Sequence, residues 1–215
     1  MKSSLVRSTL AALAVLAAAE SAAAQEPADS AGRARRATVH LLPSVSSMDF
    51  SIVGSRPGDG GVVSAFGESR AYGLAVEVAT PVRGVDLRLG VSTARPLLHE
   101  NRGSESPFET TRARLSTFSL DAVVRGPRLL DFQPYAVVGA GYRYYDFTEE
   151  GFGQLTGNHG AFLGHLGLGV AWDVGRYELN LEGGRYYNRL IDSDQLREAD
   201  VQNNTLTVGL RIPIH

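Results

Sequence analysis

The residues able to do chemistry recur at alternate positions of otherwise apolar stretches. Glu77, Asp86, Arg88, Asp121, Arg143, His165, Glu178, Glu182 and Arg211 each stand between apolar, aromatic or small neighbours. Two chemistries draw on such a set. Catalysis needs a carboxylate or histidine converging with a hydroxyl or a water. Structural ion pairing needs only guanidinium forks and carboxylates that share one dry space. The spacings favour the second. None of the five histidines (His40, His99, His159, His165, His215) stands in an H-x-x-x-H or H-E-x-x-H metal spacing, and no G-x-S-x-G elbow occurs. His165 reads as a hydrogen-bonded structural histidine among carboxylates rather than a base.

The remaining polar clusters read as loops. Residues 58–61 are glycine-rich without the pattern of a phosphate loop. Asp192, Asp194, Glu198 and Asp200 form an acidic run that lacks the glycine and terminal glutamate of a calcium loop. The chain has no cysteine, which excludes disulfides, thiolate metal sites and a lipidated amino-terminal cysteine. No catalytic, metal or cofactor residue is assigned.

The amino-terminal stretch reads as an export signal. Lys2 and Arg7 precede the apolar run 9–19, and Ala22-Ala23-Ala24 offers a small-residue cleavage site before Gln25. Residues 1–24 are therefore expected to be a signal peptide. Residues 25–37, polar and aperiodic, are expected to be a disordered periplasmic lead-in. Removing Lys2, Arg7 and Glu20 from 21 cations and 23 anions leaves 19 and 22, a net charge of −3. That balance gives no footprint for nucleic acid.

The charged residues are positioned by strands. Residues 134–147, PYAVVGAGYRYYDF, alternate throughout, with Ala136, Val138, Ala140, Tyr142 and Tyr144 on one face and Arg143 among the glycines of the other. Ordinary strands run to about 5–6 residues; a strand this long suits a bilayer-spanning barrel, which needs ~9–11. Seven further segments alternate similarly, near residues 38–53, 70–80, 85–93, 112–124, 160–172, 176–187 and 204–214. In the first, Pro43 and a change of apolar phase predict a bulge or kink. Short and long connections alternate, as in bacterial barrels, where the short turns are periplasmic.

The expected fold is all-β: an eight-stranded antiparallel up-and-down transmembrane β-barrel over residues 38–215. The nine charged residues share the face opposite the apolar one. An arginine facing lipid near the midplane would cost ~2–4 kcal/mol, so that face must be the lumen. Eight strands leave an interior just wide enough for side chains to fill. The expectation is an ion-paired lumen in which Arg88, Arg143 and Arg211 meet carboxylates. Tyr142, Tyr144, Phe147, Trp172, Tyr177, Tyr186 and Tyr187 are expected to form aromatic girdles at the two water interfaces.

The strand GAGYRYYDF, the eight-strand meander and the export signal resemble the small bacterial outer-membrane barrels, the group of the outer membrane protein A membrane domain and OmpX. The resemblance covers about residues 38–215 and rests on patterns rather than a signature. It implies outer-membrane localisation, contact with outer-membrane lipid and lipopolysaccharide, and delivery by the barrel-assembly machinery. Family members commonly end in an aromatic residue; here the alternation of residues 206–214 ends in His215. Some small barrels modify lipid A, but the His-x-Ser-Asn arrangement of the deacylases is missing. The expected function is a non-enzymatic, monomeric barrel with a structural or surface-interaction role. The alternatives are a narrow passive pore for small solutes and a periplasmic lipocalin-like binder.

Overall fold

The computed structural model describes residues 39–53, 63–101, 109–147, 157–192 and 197–214. The signal and lead-in segments and the glycine-rich stretch 58–61 lie outside the described residues. So do the side chains of His99, Phe147, His159 and His215 and of the acidic run 192–200. Among the described residues are ten strands: β1 (Val39–Val53), β2 (Val63–Phe66), β3 (Ser69–Ala79), β4 (Val85–Ala94), β5 (Leu97–Asn101), β6 (Glu109–Arg125), β7 (Phe132–Phe147), β8 (Gly157–Val174), β9 (Tyr177–Asp192) and β10 (Arg197–Ile214).

Strands β1, β3, β4, β6, β7, β8, β9 and β10 pair antiparallel, each with the next. Val39 opposite Ile214 and Val53 opposite Asp200 join the first strand to the last. The result is a closed eight-stranded barrel with no free edge, which removes the unpaired backbone groups that an open sheet would carry into lipid.

β2 and β5 are continuations of the staves, not extra ones. β5 extends β4 past Arg95 and Pro96 and stays in register with β6, while β2 pairs with β5. Ala71 faces Ala94 but Phe66 faces Leu98, so the β2–β3 side holds one extra residue, a bulge at Gly67 and Glu68. Gly67 N–H donates to the Leu97 carbonyl at 2.7 Å, and Ala113 N–H to the Pro96 carbonyl at 3.2 Å, which carry the ladder across the break. The connections 54–69, 94–111 and 190–203, read from sequence as loops, are thus partly sheet.

The bulge predicted near Pro43 is absent. Leu41 faces Ile212 and Ser44 faces Gly209, so the register with β10 does not slip, and pairing with β3 is continuous from Val39 to Met48. Proline has no N–H, so the ladder merely skips Leu42 and Pro43. Met48 and Phe50 follow unbroken alternation to the inside, where both are buried. The apolar phase changes because the lumen itself becomes apolar there, not because the strand kinks.

The three short turns share one end. Gly84 and Gly175 hold φ of +73° and +67°, which a side chain resists. The Thr80 hydroxyl donates to the Val85 carbonyl at 2.6 Å and closes the first turn. Arg128 Nη2 lies 2.6 Å from Asp173 Oδ2 and ties the β6–β7 turn to the end of β8.

The polarity of a water-soluble protein is inverted. Leu74, Val76, Leu89, Val91, Leu120, Leu168 and Val208 point outward and are exposed, while charged groups are buried inside. A contiguous apolar belt of this extent needs a non-aqueous neighbour. Leu89→Arg or Leu168→Arg, at sites 61% and 71% exposed, should each cost insertion about 2–4 kcal/mol. Arginine at the inward positions Ser92 or Thr207 should cost less. Folding yield into lipid vesicles, measured for all four variants, checks this; equal losses would contradict the assigned faces.

Candidate functional site in the barrel lumen

Alternation delivers the charged side chains to the lumen. Glu77 on β3, Asp86 and Arg88 on β4, Asp121 on β6, Arg143 on β7, His165 on β8, and Glu178 and Glu182 on β9 are buried there, and Arg211 on β10 is half-buried. One further residue joins them: Arg125, the last residue of β6.

Toward the short-turn end these residues form one network. Arg125 reaches three carboxylates, donating from Nη2 to Glu77 Oε1 at 2.6 Å, from Nε to Asp86 Oδ2 at 2.8 Å and from Nη1 to Glu178 Oε1 at 3.1 Å. Arg88 Nε donates to Glu77 Oε2 at 3.2 Å, and its Nη1 crosses to the opposite wall to meet Glu182 Oε2 at 2.8 Å. Arg211 Nε lies 2.9 Å from Glu77 Oε1, and Arg211 Nη1 donates to Glu178 Oε2 at 3.3 Å. Glu77, at 0% exposure, is therefore shared by three guanidinium groups. Tyr135 lies beneath two of them, its ring centroid 5.8 Å from Arg88 Cζ and 5.7 Å from Arg125 Cζ.

Above this network Asp121, His165 and Glu182 form a second group. The Ser119 hydroxyl donates to Asp121 Oδ2 at 3.0 Å. Asp121 Oδ1 lies 3.2 Å from His165 Nδ1, and Glu182 Oε1 lies 3.8 Å from His165 Nε2, beyond hydrogen-bond reach. The His165 ring stacks on Tyr186 at 4.1 Å and 9°. In a nucleophilic triad the hydroxyl hands its proton to the imidazole. Here the serine reaches the carboxylate instead, so the histidine activates no nucleophile among the described residues.

Glycine makes this group possible. A Cβ on Gly139 would overlap Asp121 Oδ1 and come within 2.7 Å of the Leu120 carbonyl oxygen. Gly139→Ala should therefore push Asp121 off His165 and destabilise the barrel by about 1–3 kcal/mol. Urea unfolding followed by the fluorescence of Trp172, the one tryptophan in the chain, checks this; an unchanged midpoint would contradict it.

Arg143 departs from the expected carboxylate pairing. It is fully buried, yet among the described residues no carboxylate is paired with it. Its Nε donates to Thr117 Oγ1 at 3.0 Å and its Nη1 to Asn203 Oδ1 at 2.7 Å. Its Cζ lies 5.2 Å from the Tyr186 ring centroid. Beyond it the lumen turns apolar. Met48, Phe50, Phe66, Leu115, Tyr145 and Val201 form one buried cluster, with Phe66 5.4 Å from Phe50 and 6.1 Å from Tyr145 between ring centroids. Between cluster and network lies a cavity of ≈80 Å³, walled on one side by Ser44, Ser46, Gly73, Gly90 and Ser92.

Neither a protein-family model nor a curated protein matches the sequence. Solved structures do match the fold. The outer membrane protein OprG from Pseudomonas aeruginosa superposes with a TM-score of 0.55 at 13% identity, over 84% of this chain and 97% of OprG. Outer membrane protein AlkL, solved in lipid bilayers, gives 0.54 at 17% identity over 88% of this chain and 95% of AlkL. Neisserial surface protein A gives 0.51 at 12% identity over 81% and 96%. The fold is that of the small eight-stranded outer-membrane barrels.

In such a barrel the outward aromatics mark interface depth. Tyr142, Tyr144, Trp172 and Tyr187 are outward and exposed, and Tyr177 is half-buried with the Arg176 guanidinium 4.9 Å from its ring centroid. Trp172 stacks on Phe132 at 5.7 Å near the short turns. Phe162 meets Tyr142 edge-on at 5.4 Å toward the long loops. Tyr186, expected in the girdle, instead lies in the lumen between His165 and Arg143. Neighbours in a strand point oppositely, so with Tyr187 facing out Tyr186 must face in. Phe147 belongs to β7, and its side chain is not among those described.

Proposed function

We propose that the chain is a non-enzymatic outer-membrane barrel with a plugged lumen, serving a structural or surface-interaction role akin to that of the outer membrane protein A and OmpX group. The observation that carries this reading is the network centred on Glu77 and Arg125, which ties β3, β4, β6, β9 and β10 across the interior. Together with the apolar cluster at the other end it fills most of the interior and leaves a cavity of only ≈80 Å³ between them, which weighs against the pore reading. The outward apolar belt weighs against a periplasmic binder, whose surface must be wetted.

In this reading the short turns and both ends of the barrel domain face the periplasm, the long loops face outward, and the chain is a monomer delivered by the barrel-assembly machinery. Fractionation combined with a heat-modifiability gel tests it. The protein should extract from membranes only with detergent, resist SDS while folded and change mobility on boiling. Release without detergent would overturn it.

A further inference from the structure

One wall of the barrel carries a row of cations at the long-loop edge of the apolar belt. On β3, β4 and β6 the outward residues form rungs. Val76, Leu89 and Leu120 share one rung; Leu74, Val91 and Phe118 share the next; Tyr72, Thr93 and Ser116 follow. Continuing the same registers places Arg70, Arg95 and Arg114 on the rung after that. All three arginines are exposed, and among the described residues none pairs with a carboxylate. They line an open groove of ≈670 Å³ with Tyr72, Thr93 and Ser116. Arg112, also exposed, follows one rung outward. Among the described residues, the acids beside this row are Glu68 next to β3, Asp49 on β1 and Asp146, which faces Arg114 from β7.

We infer that this row is a binding site for the phosphate groups of a phosphorylated glycolipid in the outer leaflet. The inference rests on the outer-membrane reading above. Its chemistry is that of three guanidinium forks, which bind phosphate through paired N–H donors, with the hydroxyls of Thr93, Ser116 and Tyr72 beside them. Its depth selects a lipid. The rungs below the arginines are lipid-facing leucines, valines and a phenylalanine, so a molecule whose phosphates reach the arginines can lay its acyl chains along those rungs. The rest of the belt has a different composition: β7, next to β6, turns Tyr142 and Tyr144 outward, and β8 and β9 turn out Phe162 and Tyr187. Arg185, an outward arginine of β9, already donates from Nε to Asn204 Oδ1 at 2.6 Å.

The test is binding of fluorescent diphosphoryl lipid A by the full chain folded in detergent micelles, beside the same lipid stripped of its phosphates and beside inorganic phosphate as competitor. Near an anionic surface each arginine is worth roughly a fivefold change in affinity, so Arg70→Gln, Arg95→Gln and Arg114→Gln combined should weaken lipid A binding on the order of a hundredfold. Arg185→Gln should leave it unchanged, and the dephosphorylated lipid should bind the parent no better than the combined variant. Undiminished binding by that variant, equal binding of the two lipids, or displacement by inorganic phosphate at lipid-like concentrations would each overturn the inference. A heat-modifiability gel on the same samples separates the two readings. A heat-modifiable parent whose combined variant still binds refutes this site alone; a parent that is not heat-modifiable refutes the membrane reading and this site with it.

Discussion

Arg125→Met should lower the stability of the folded barrel by about 3–5 kcal/mol, the typical consequence of removing one partner from a buried ion pair. Arg125 donates to Glu77, Asp86 and Glu178 at once, so its loss leaves three carboxylates short of a donor in a space from which water is largely excluded. Methionine fills a similar volume, which keeps the effect electrostatic rather than a cavity effect. The measurement is the urea midpoint by Trp172 fluorescence, with SDS resistance on a gel as a second readout. Adding Glu77→Gln to Arg125→Met should recover part of the loss, because the two charges then leave together. A single variant as stable as the parent would mean that the network is incidental to folding.

Glu77→Gln and Arg143→Met should differ. Glu77 is shared by Arg88, Arg125 and Arg211. A glutamine there turns amide hydrogens toward guanidinium hydrogens and removes the shared anion, so a loss of about 3–5 kcal/mol is again expected. Arg143 is as deeply buried, but it is held by Thr117, Asn203 and the face of Tyr186 rather than by a carboxylate. Removing it forfeits charge-assisted hydrogen bonds worth about 1.5–3 kcal/mol each but also relieves the desolvation of a cation, which offsets part of that loss. Arg143→Met should therefore cost less than Glu77→Gln, about 1–3 kcal/mol by the same assay. Equal losses for the two variants would show that Arg143 is as electrostatically bound as the network below it.

The two-residue period makes most of the architecture legible in the sequence. It separated outward apolar residues from inward charges on every stave but β1, because one face had to meet an apolar medium and the other could not. What it concealed has physical reasons. Arg125 lies one residue beyond the alternating segment 112–124, against the turn signal of Gly126 and Pro127 that hides it, although Asp121, Val123 and Arg125 follow the same parity. Phe66 was lost inside a long connection because the bulge at Gly67 and Glu68 breaks the alternation that would have tied it to β3. Tyr186 was grouped with Tyr187 by composition, against the parity that separates them. The partners of Arg143 were not legible at all. Parity tells which way a side chain points, but contact across a lumen depends on the stagger of non-adjacent strands. That stagger brings Arg88 to Glu182 and Arg143 to Asn203, and no local pattern encodes it.

Planar-bilayer recording of the purified, folded parent protein tests most directly whether the lumen is closed. The network at Glu77 and Arg125 and the apolar cluster at Phe50, Phe66 and Tyr145 predict a flat current trace, with no steady single-channel steps at any applied voltage that the bilayer tolerates. Steady, reproducible conductance steps from heat-modifiable protein would contradict the closed lumen and establish the barrel as a pore.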